Sequence, residues 1–340
     1  MRFSKPKRPI TLMEICGTHT MAIAKSGIKS LLPKEVKLIS GPGCPVCVTP
    51  SSAIDMALEL TKDPDLIVCS YGDLLRIPGS QHETLRNRAN VRLCLSPMDA
   101  IELAFKNPEK TILFMGVGFE TTAPGSAILI QEARRNKLTN FYFYSLLKRT
   151  EPAICALLEN EKTQIDGFLC PGHVAVILGE KGFEFLPEKY HRPGVISGFE
   201  PEDILVSIEA LIQMINQDQP QILNTYDRLV QKAGNPIAQA QIEDVFEVED
   251  SLWRGLGTLP NSGYRLKEKY QKFDASLHFH LPPLENKEPQ NCQCADILCG
   301  KKEPSQCPLF KTVCTPQDPV GPCMVSSEGA CAAAYTFEDE

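Results

Sequence analysis

No apolar run in this chain approaches the roughly 20 residues needed to cross a bilayer, so no membrane-spanning helix is expected. Basic patches are equally scarce. Lysine and arginine total 35 against 42 aspartates and glutamates, a net charge of −7, and the one basic run is Lys5 to Arg8. Nucleic-acid partners call for a basic stripe, so neither nucleic acid nor membrane is expected as a partner. The glycine-rich loops match neither the P-loop nor the dinucleotide fingerprint, and nucleotide binding is not expected. A secretory leader is not expected either, because Met13-Glu14-Ile15-Cys16 interrupts the apolar stretch such a segment needs. The expected location is the cytoplasm.

What the chain does have is cysteine, fourteen in 340 residues. In a leaderless chain that number points to metal or redox chemistry in a reducing compartment rather than to a disulfide scaffold. Seven lie between Cys292 and Cys331, and the other seven are scattered over the preceding 291 residues. The asymmetry divides the chain into a folded body and a cysteine-rich tail. With 43% apolar residues the body can build sizeable cores, and the length predicts roughly two domains, or three.

The stretch Ser40-Gly41-Pro42-Gly43-Cys44-Pro45-Val46-Cys47-Val48-Thr49-Pro50 organises the rest. It follows an apolar run, Val36 to Ile39, that reads as a strand, and precedes Ser51-Ser52-Ala53-Ile54-Asp55, which reads as a helix start. Two thiols three residues apart thus sit near a helix N-terminus, whose partial positive charge favours thiolate. A thiolate is both the nucleophile of disulfide exchange and a soft metal ligand. Cys44 and Cys47 alone also fit half of a structural zinc site, or two inert buried cysteines. Upstream, Cys16 and His19 in Ile15-Cys16-Gly17-Thr18-His19 are three apart, so on one helical turn they share a face. They suit iron or zinc, or a nucleophile with its base, and a structural role equally.

From Val36 onward strand-like and helix-like stretches alternate. Strands are expected at Leu66–Cys69, Val91–Leu95, Thr111–Met115, Phe141–Leu146, Ile165–Cys170 and Gly194–Ser197. Helices are expected at Ala53–Thr61, His82–Asn90, Met98–Lys106, Gly125–Asn136, Pro152–Glu159 and Glu202–Gln217, with residues 220–275 helical and supportive. Alternation argues for an α/β fold with parallel sheets, whose functional loops lie at the strand C-terminal ends. Those loops carry Asp73 and Arg76, then Glu120, Thr121 and Thr122, then Cys170-Pro171-Gly172-His173, then Glu200. Glu120, Thr121 and His173 are the candidates for managing protons or binding an incoming group, although Glu120 and Glu200 also fit as helix caps. Gly-Phe-Glu recurs 80 residues apart, at Gly118 and Gly198, and reads as a weak internal repeat. The expected architecture is two similar parallel-sheet α/β domains, residues 1–122 and 123–280, followed by a cysteine-rich module, 281–340. The sole tryptophan, Trp253, beside Arg254, reads as packing.

Prolines 308, 316, 319 and 322 forbid long helices in the tail, and few apolar residues are available for a core. Such a segment needs a staple, which four thiolates on a metal supply. The spacing lacks the two tight pairs of a zinc ribbon and fits better a 4Fe-4S cluster gripped by distant loops. The preferred ligands are Cys292, Cys307, Cys314 and Cys331, with Cys294 and Cys323 as substitutes.

These motifs together resemble the HypD family of NiFe-hydrogenase maturation proteins. The resemblance rests on Met13–Thr20, the Gly41–Pro50 loop, Gly72–Ser80, Gly118–Pro124, Pro171–Val174, Gly198–Pro201 and Cys314 to Cys331. It implies an iron–sulfur scaffold that helps build the Fe(CN)2CO unit of the hydrogenase site. The implied partners are a HypC-type chaperone and a HypE-type cyanide donor. By motif, Cys16 matches the cysteine that holds the iron being modified, and Cys44 and Cys47 match a pair proposed for redox exchange or iron contact. The rival reading is a cluster-dependent thiol–disulfide oxidoreductase without a second iron. One departure is Thr18, where glycine is usual before the histidine. His19 is then available to orient or deprotonate the thiol, or to hydrogen-bond a cyanide nitrogen.

Overall fold

The computed structural model describes residues 3–160 and 164–338. Eleven strands are described: β1 Ile10–Glu14, β2 Val36–Ser40, β3 Leu66–Ser70, β4 Val91–Leu93, β5 Thr111–Gly118, β6 Phe141–Leu147, β7 Gly167–Pro171, β8 Gly194–Ser197, β9 Ile222–Asn224, β10 Phe246–Trp253 and β11 Gly257–Leu266. They form a five-stranded sheet in the order β2-β1-β7-β8-β9, a four-stranded sheet in the order β4-β3-β5-β6, and a hairpin of β10 and β11. Both larger sheets are parallel throughout. The fold is α/β, with the cysteine-rich region at the C-terminal end of the chain.

The central strands read as continuous apolar runs because helices cover both faces. From Ile112 to Gly118, β5 is buried at every position. On the five-stranded sheet the helix Pro201–Gln217 buries Ile204, Ile208, Leu211 and Ile212 completely, at one-turn spacing, against Leu12, Leu169 and Val195. Each such side chain contributes about 1.5–3 kcal/mol when fully withdrawn from water.

Strand order settles how the sheets are composed. β1 pairs with β2 on one side and with β7 on the other, where Leu12 faces Gly167. The five-stranded sheet therefore takes strands from residues 10–40 and 167–224, and the four-stranded sheet takes β6 from beyond residue 123. The expected boundary at 122/123 does not separate them. A parallel neighbour can be any strand whose crossover fits, so pairing partners are not fixed by order along the chain. Each sheet reverses its order once, between β1 and β7 and between β3 and β5. At such a reversal the two crossovers leave on opposite faces and open a crevice at the strand C-terminal ends.

Two helical expectations fail, one almost wholly and one in part. His82–Asn90 contains a single 3-10 turn, Leu85–Asn87, because His82 sits at φ 61° and the Asn90 amide bonds the carbonyls of Thr61, Asp63 and Leu66. The segment 220–275 holds the helix Pro236–Val245 and the 3-10 stretch Glu268–Phe273, but its other regular elements are β9 and the β10–β11 hairpin. Phe246–Trp253 follows an alternating pattern rather than a helical one, and Gly255 and Gly257, at φ 82° and 75°, close the turn. β1 begins at Ile10, where only a basic arm is expected.

Candidate metal and thiol centre

Both crevices receive the loops singled out by sequence. After β1 the chain turns at Cys16 into the helix Gly17–Lys25. After β7 it enters Gly172–Leu178 with His173 exposed in the first turn. Glu14, at the end of β1, fixes the first turn: one carboxylate oxygen accepts the Cys16 amide at 2.9 Å and the other accepts the Thr20 hydroxyl at 2.5 Å. Burial pushes the Glu14 carboxyl up to about 7.

The Gly41–Pro50 loop lies directly on this turn. Gly41 donates its amide to the Glu14 carbonyl at 2.8 Å, and Gly17 donates to the Gly43 carbonyl at 3.2 Å. Gly43 has no room for a side chain: a Cβ there would stand 2.5 Å from Cys16 Cα and closer still to the Cys16 amide. Cys16 and the residue preceding Cys44 are thus in backbone contact. The Cys44 and Cys47 sulfurs are 2.6 Å apart, and reversible bonding to the ~2.05 Å of a disulfide needs little movement. Both are buried free thiols. The helix N-terminus does not make Cys47 a thiolate. Burial, with the thiols of Cys323 and Cys44, pushes Cys47 up, and burial pushes Cys16 up to about 12 against the pull of the His19 and Thr18 amides. A soft metal cation reverses that balance by binding the anion.

His19 is wholly buried, with Nε2 2.9 Å from the Gly198 carbonyl. A carbonyl only accepts, so Nε2 carries the proton. Burial holds the ring down to about 4, which leaves it neutral, and Nδ1 is buried without a partner. The ring has no N–H left for a cyanide nitrogen; its free lone pair is an acceptor. The sequence expectation of a donor role to cyanide does not hold in this arrangement. Phe199 lies between His19 and His173, with centroids 4.6 and 4.0 Å away.

The tail closes over the same region. Glu328 packs against Gly17, and its carboxylate accepts the Thr18 hydroxyl at 2.6 Å. The departure at Thr18 therefore has a partner in the tail. Farther along, the Cys292 and Cys294 sulfurs crowd Gly321, at 2.6 and 2.7 Å from where its Cβ would stand. Cys314 Sγ accepts the Val320 amide at 3.3 Å. Cys323, with no exposed surface, is a hydrogen-bonding neighbour of Cys294, Cys331 and Cys47, and these thiols favour its ionised form. Cys47 also faces the Pro322 carbonyl at 3.8 Å. Cys292, Cys294, Cys314, Cys323 and Cys331 thus form one neighbourhood with Cys44 and Cys47. Cys307 is buried at the start of the tight loop that ends at Cys314, its carbonyl accepting the Phe310 amide. Cys299 points to the Gly255 carbonyl instead. Among the described residues, no three histidine, cysteine or carboxylate side chains already stand in a metal-holding arrangement. The set is nonetheless all sulfur, a soft donor set.

Two candidates lie elsewhere. Glu120 accepts the Thr150 amide at 2.8 Å and its hydroxyl at 2.6 Å, fastening the start of the helix Thr150–Leu158 to the end of β5. Thr121 is exposed on a second cleft of about 770 Å³, at the reversal between β3 and β5, shared with Pro45, Val46, Asp73 and Cys94. The sequence reading passed over Glu14, Phe199 and Glu328. Glu328 carried a signal, as the one charge among small residues in Ser326-Ser327-Glu328-Gly329-Ala330-Cys331.

The comparisons agree over nearly the whole chain. Residues 1–338 match the family model HypD, described as "Hydrogenase formation hypA family". Hydrogenase maturation factor HypD2 of Bradyrhizobium diazoefficiens is 44% identical over 343 residues, covering 98% of this chain and 90% of that one. HypD of Escherichia coli K12 is 44% identical over 338 residues, covering 98% and 91%. HypD of Cupriavidus necator is 41% identical over 348 residues, covering 98% and 91%. With the family model matched over residues 1–338 and relatives 44% identical over 98% of its length, this chain belongs to the HypD family of hydrogenase maturation factors.

Proposed function

We propose that the protein is a scaffold and redox partner in NiFe-hydrogenase maturation, holding iron while the Fe(CN)2CO unit is assembled. The observation that carries this reading is the backbone contact of Cys16 with Gly43, with Cys47 in turn neighbouring tail Cys323. One thiol at a sheet crevice, one dithiol and a tail thiol set are thereby contiguous. Cys16 binds the iron cargo, and its partner ligands come from a HypC-type chaperone docked at the crevice. A HypE-type protein delivers cyanide there. His19, neutral with Nδ1 free, keeps a lone pair for accepting a hydrogen bond in the first turn after Cys16. Cys44 and Cys47 release two electrons and two protons on forming a disulfide and recover both on reduction.

Cys292, Cys314 and Cys331 from the converging set, with Cys307, hold a 4Fe-4S cluster; Cys294 and Cys323 are the alternates. The fit rests on the all-sulfur donors and on Gly321, where any side chain would fill the space between Cys292 and Cys294. When bound, the cluster supplies single electrons at low potential.

The test is infrared spectroscopy on the anaerobically co-purified chaperone complex. Wild type shows CN and CO bands; Cys16→Ala loses them and its extra iron while acid-labile sulfide stays unchanged. Persistence of the bands in Cys16→Ala refutes the ligand assignment. The closeness of Cys44 and Cys47 favours one rival, an oxidoreductase without cargo iron. It predicts fast reduction of model disulfides by Cys16→Ala and no diatomic bands in wild type.

A further inference from the structure

Arg254 sits at the tip of the β10–β11 hairpin, where the sequence suggests packing. Its side chain has no exposed surface. The backbone amide donates to the Val48 carbonyl at 2.9 Å and Nε donates to the Thr49 carbonyl at 3.1 Å, which ties the hairpin to the end of the Cys44–Cys47 loop. Nη1 donates to Glu288, at 2.8 Å, in the segment leading to the tail. Nη2 is buried and has no acceptor. The hairpin tip also touches the tail itself: a Cβ on Gly255 would meet Ala295 backbone at 2.9 Å. The Gly255 carbonyl also accepts the Cys299 thiol at 3.4 Å, so the tip stands against the cysteine-bearing start of the tail.

A buried guanidinium with an idle donor arm and one partly exposed carboxylate is under-compensated. A buried cation beside a thiol set is what an anionic metal–thiolate centre needs. We infer that Arg254 is the fixed counter-charge of the tail's metal–thiolate centre, tuning its reduction potential and tethering the Cys44–Cys47 loop to it. The inference rests on the proposed 4Fe-4S reading. A positive charge stabilises the more negative, reduced centre, and Glu288 moderates that effect.

The experiment is an EPR-monitored redox titration of the reconstituted full-length protein, with iron and acid-labile sulfide counted for every variant. Arg254→Gln lowers the midpoint potential at unchanged iron and sulfide, Arg254→Lys stays near wild type, and Glu288→Gln moves the potential the opposite way, upward. Opposite shifts distinguish a charge effect from loosened packing, which moves both variants alike. Should Arg254→Gln fail to hold a cluster, the upward shift in Glu288→Gln decides alone. Equal potentials in wild type, Arg254→Gln and Glu288→Gln overturn the inference and leave the cluster reading intact. Wild-type protein that takes up no acid-labile sulfide overturns both.

Discussion

Gly43→Ala probes the contact on which the centre depends. The added methyl would stand 2.5 Å from Cys16 Cα, against the 3.4 Å where ordinary contact begins. The two loops must separate by about 1 Å, and no flexible side chain is there to yield, since the clashing atoms are all backbone. Overpacking of this kind costs about 1–3 kcal/mol. Losing the Gly17 amide to Gly43 carbonyl bond adds about 1 kcal/mol. Displacing reacting groups by about 1 Å typically costs about 100-fold in rate. Gly257→Ala is the matched control: its φ of 75° strains alanine, yet nothing lies within 4 Å of the new methyl. That strain costs about 1–2 kcal/mol, and the new methyl touches neither the Cys16 turn nor the Gly41–Pro50 loop. Urea unfolding gives the stabilities, and recovery of hydrogenase activity in cells lacking the native factor gives the function. Gly43→Ala should lose about 100-fold in recovery, and Gly257→Ala should keep it despite its own loss of about 1–2 kcal/mol. Equal recovery by the two variants refutes the idea that the Cys16–Gly43 contact positions the chemistry.

Glu120→Ala separates a structural carboxylate from a catalytic one: leaving the Thr150 amide and hydroxyl unpaired should cost about 1–3 kcal/mol in urea unfolding, with cargo iron and CN bands unchanged. Lys148 gives a pH signature. Burial lowers its ammonium to about 7 while Nζ donates to Ser251 and the Leu252 carbonyl. The folded value lies below the unfolded 10.5, so its contribution is full above 10.5 and is lost as pH falls to 7. Wild type should therefore gain on Lys148→Met by up to about 1.4 kcal/mol per pH unit between pH 7 and 9, read from urea midpoints; a flat difference places the ammonium in water.

The α/β class and most strand positions were legible because buried parallel strands are continuous apolar runs, as in Thr111–Gly118. The thiol-bearing loops were legible because cysteine, glycine and proline mark chemistry and turns directly. Partnership was not. Nothing local in Ile10–Glu14 says that it joins Gly167–Pro171 rather than Leu66–Ser70, because a parallel strand needs only a neighbour of matching apolar character. Side-chain duties were also hidden. Glu120 looks catalytic by its place at a strand end and is absorbed by Thr150; Arg254 looks like packing and proves to be a wholly buried charge. In both cases the partner lies at least 30 residues away, beyond the reach of a local pattern.

The pairing of β1 with β7 also bears on biosynthesis. Leu12 leaves the ribosome 155 residues ahead of Gly167, its neighbour on one side. A nascent chain can form the β1–β2 pair early, but the crevice edge that backs Cys16 is missing until about half the polypeptide has emerged. The tail thiols come last of all. Translation thus imposes an order in which the thiol of Cys16, made early, is among the last to be enclosed, and iron that reached it early would meet an unfinished pocket.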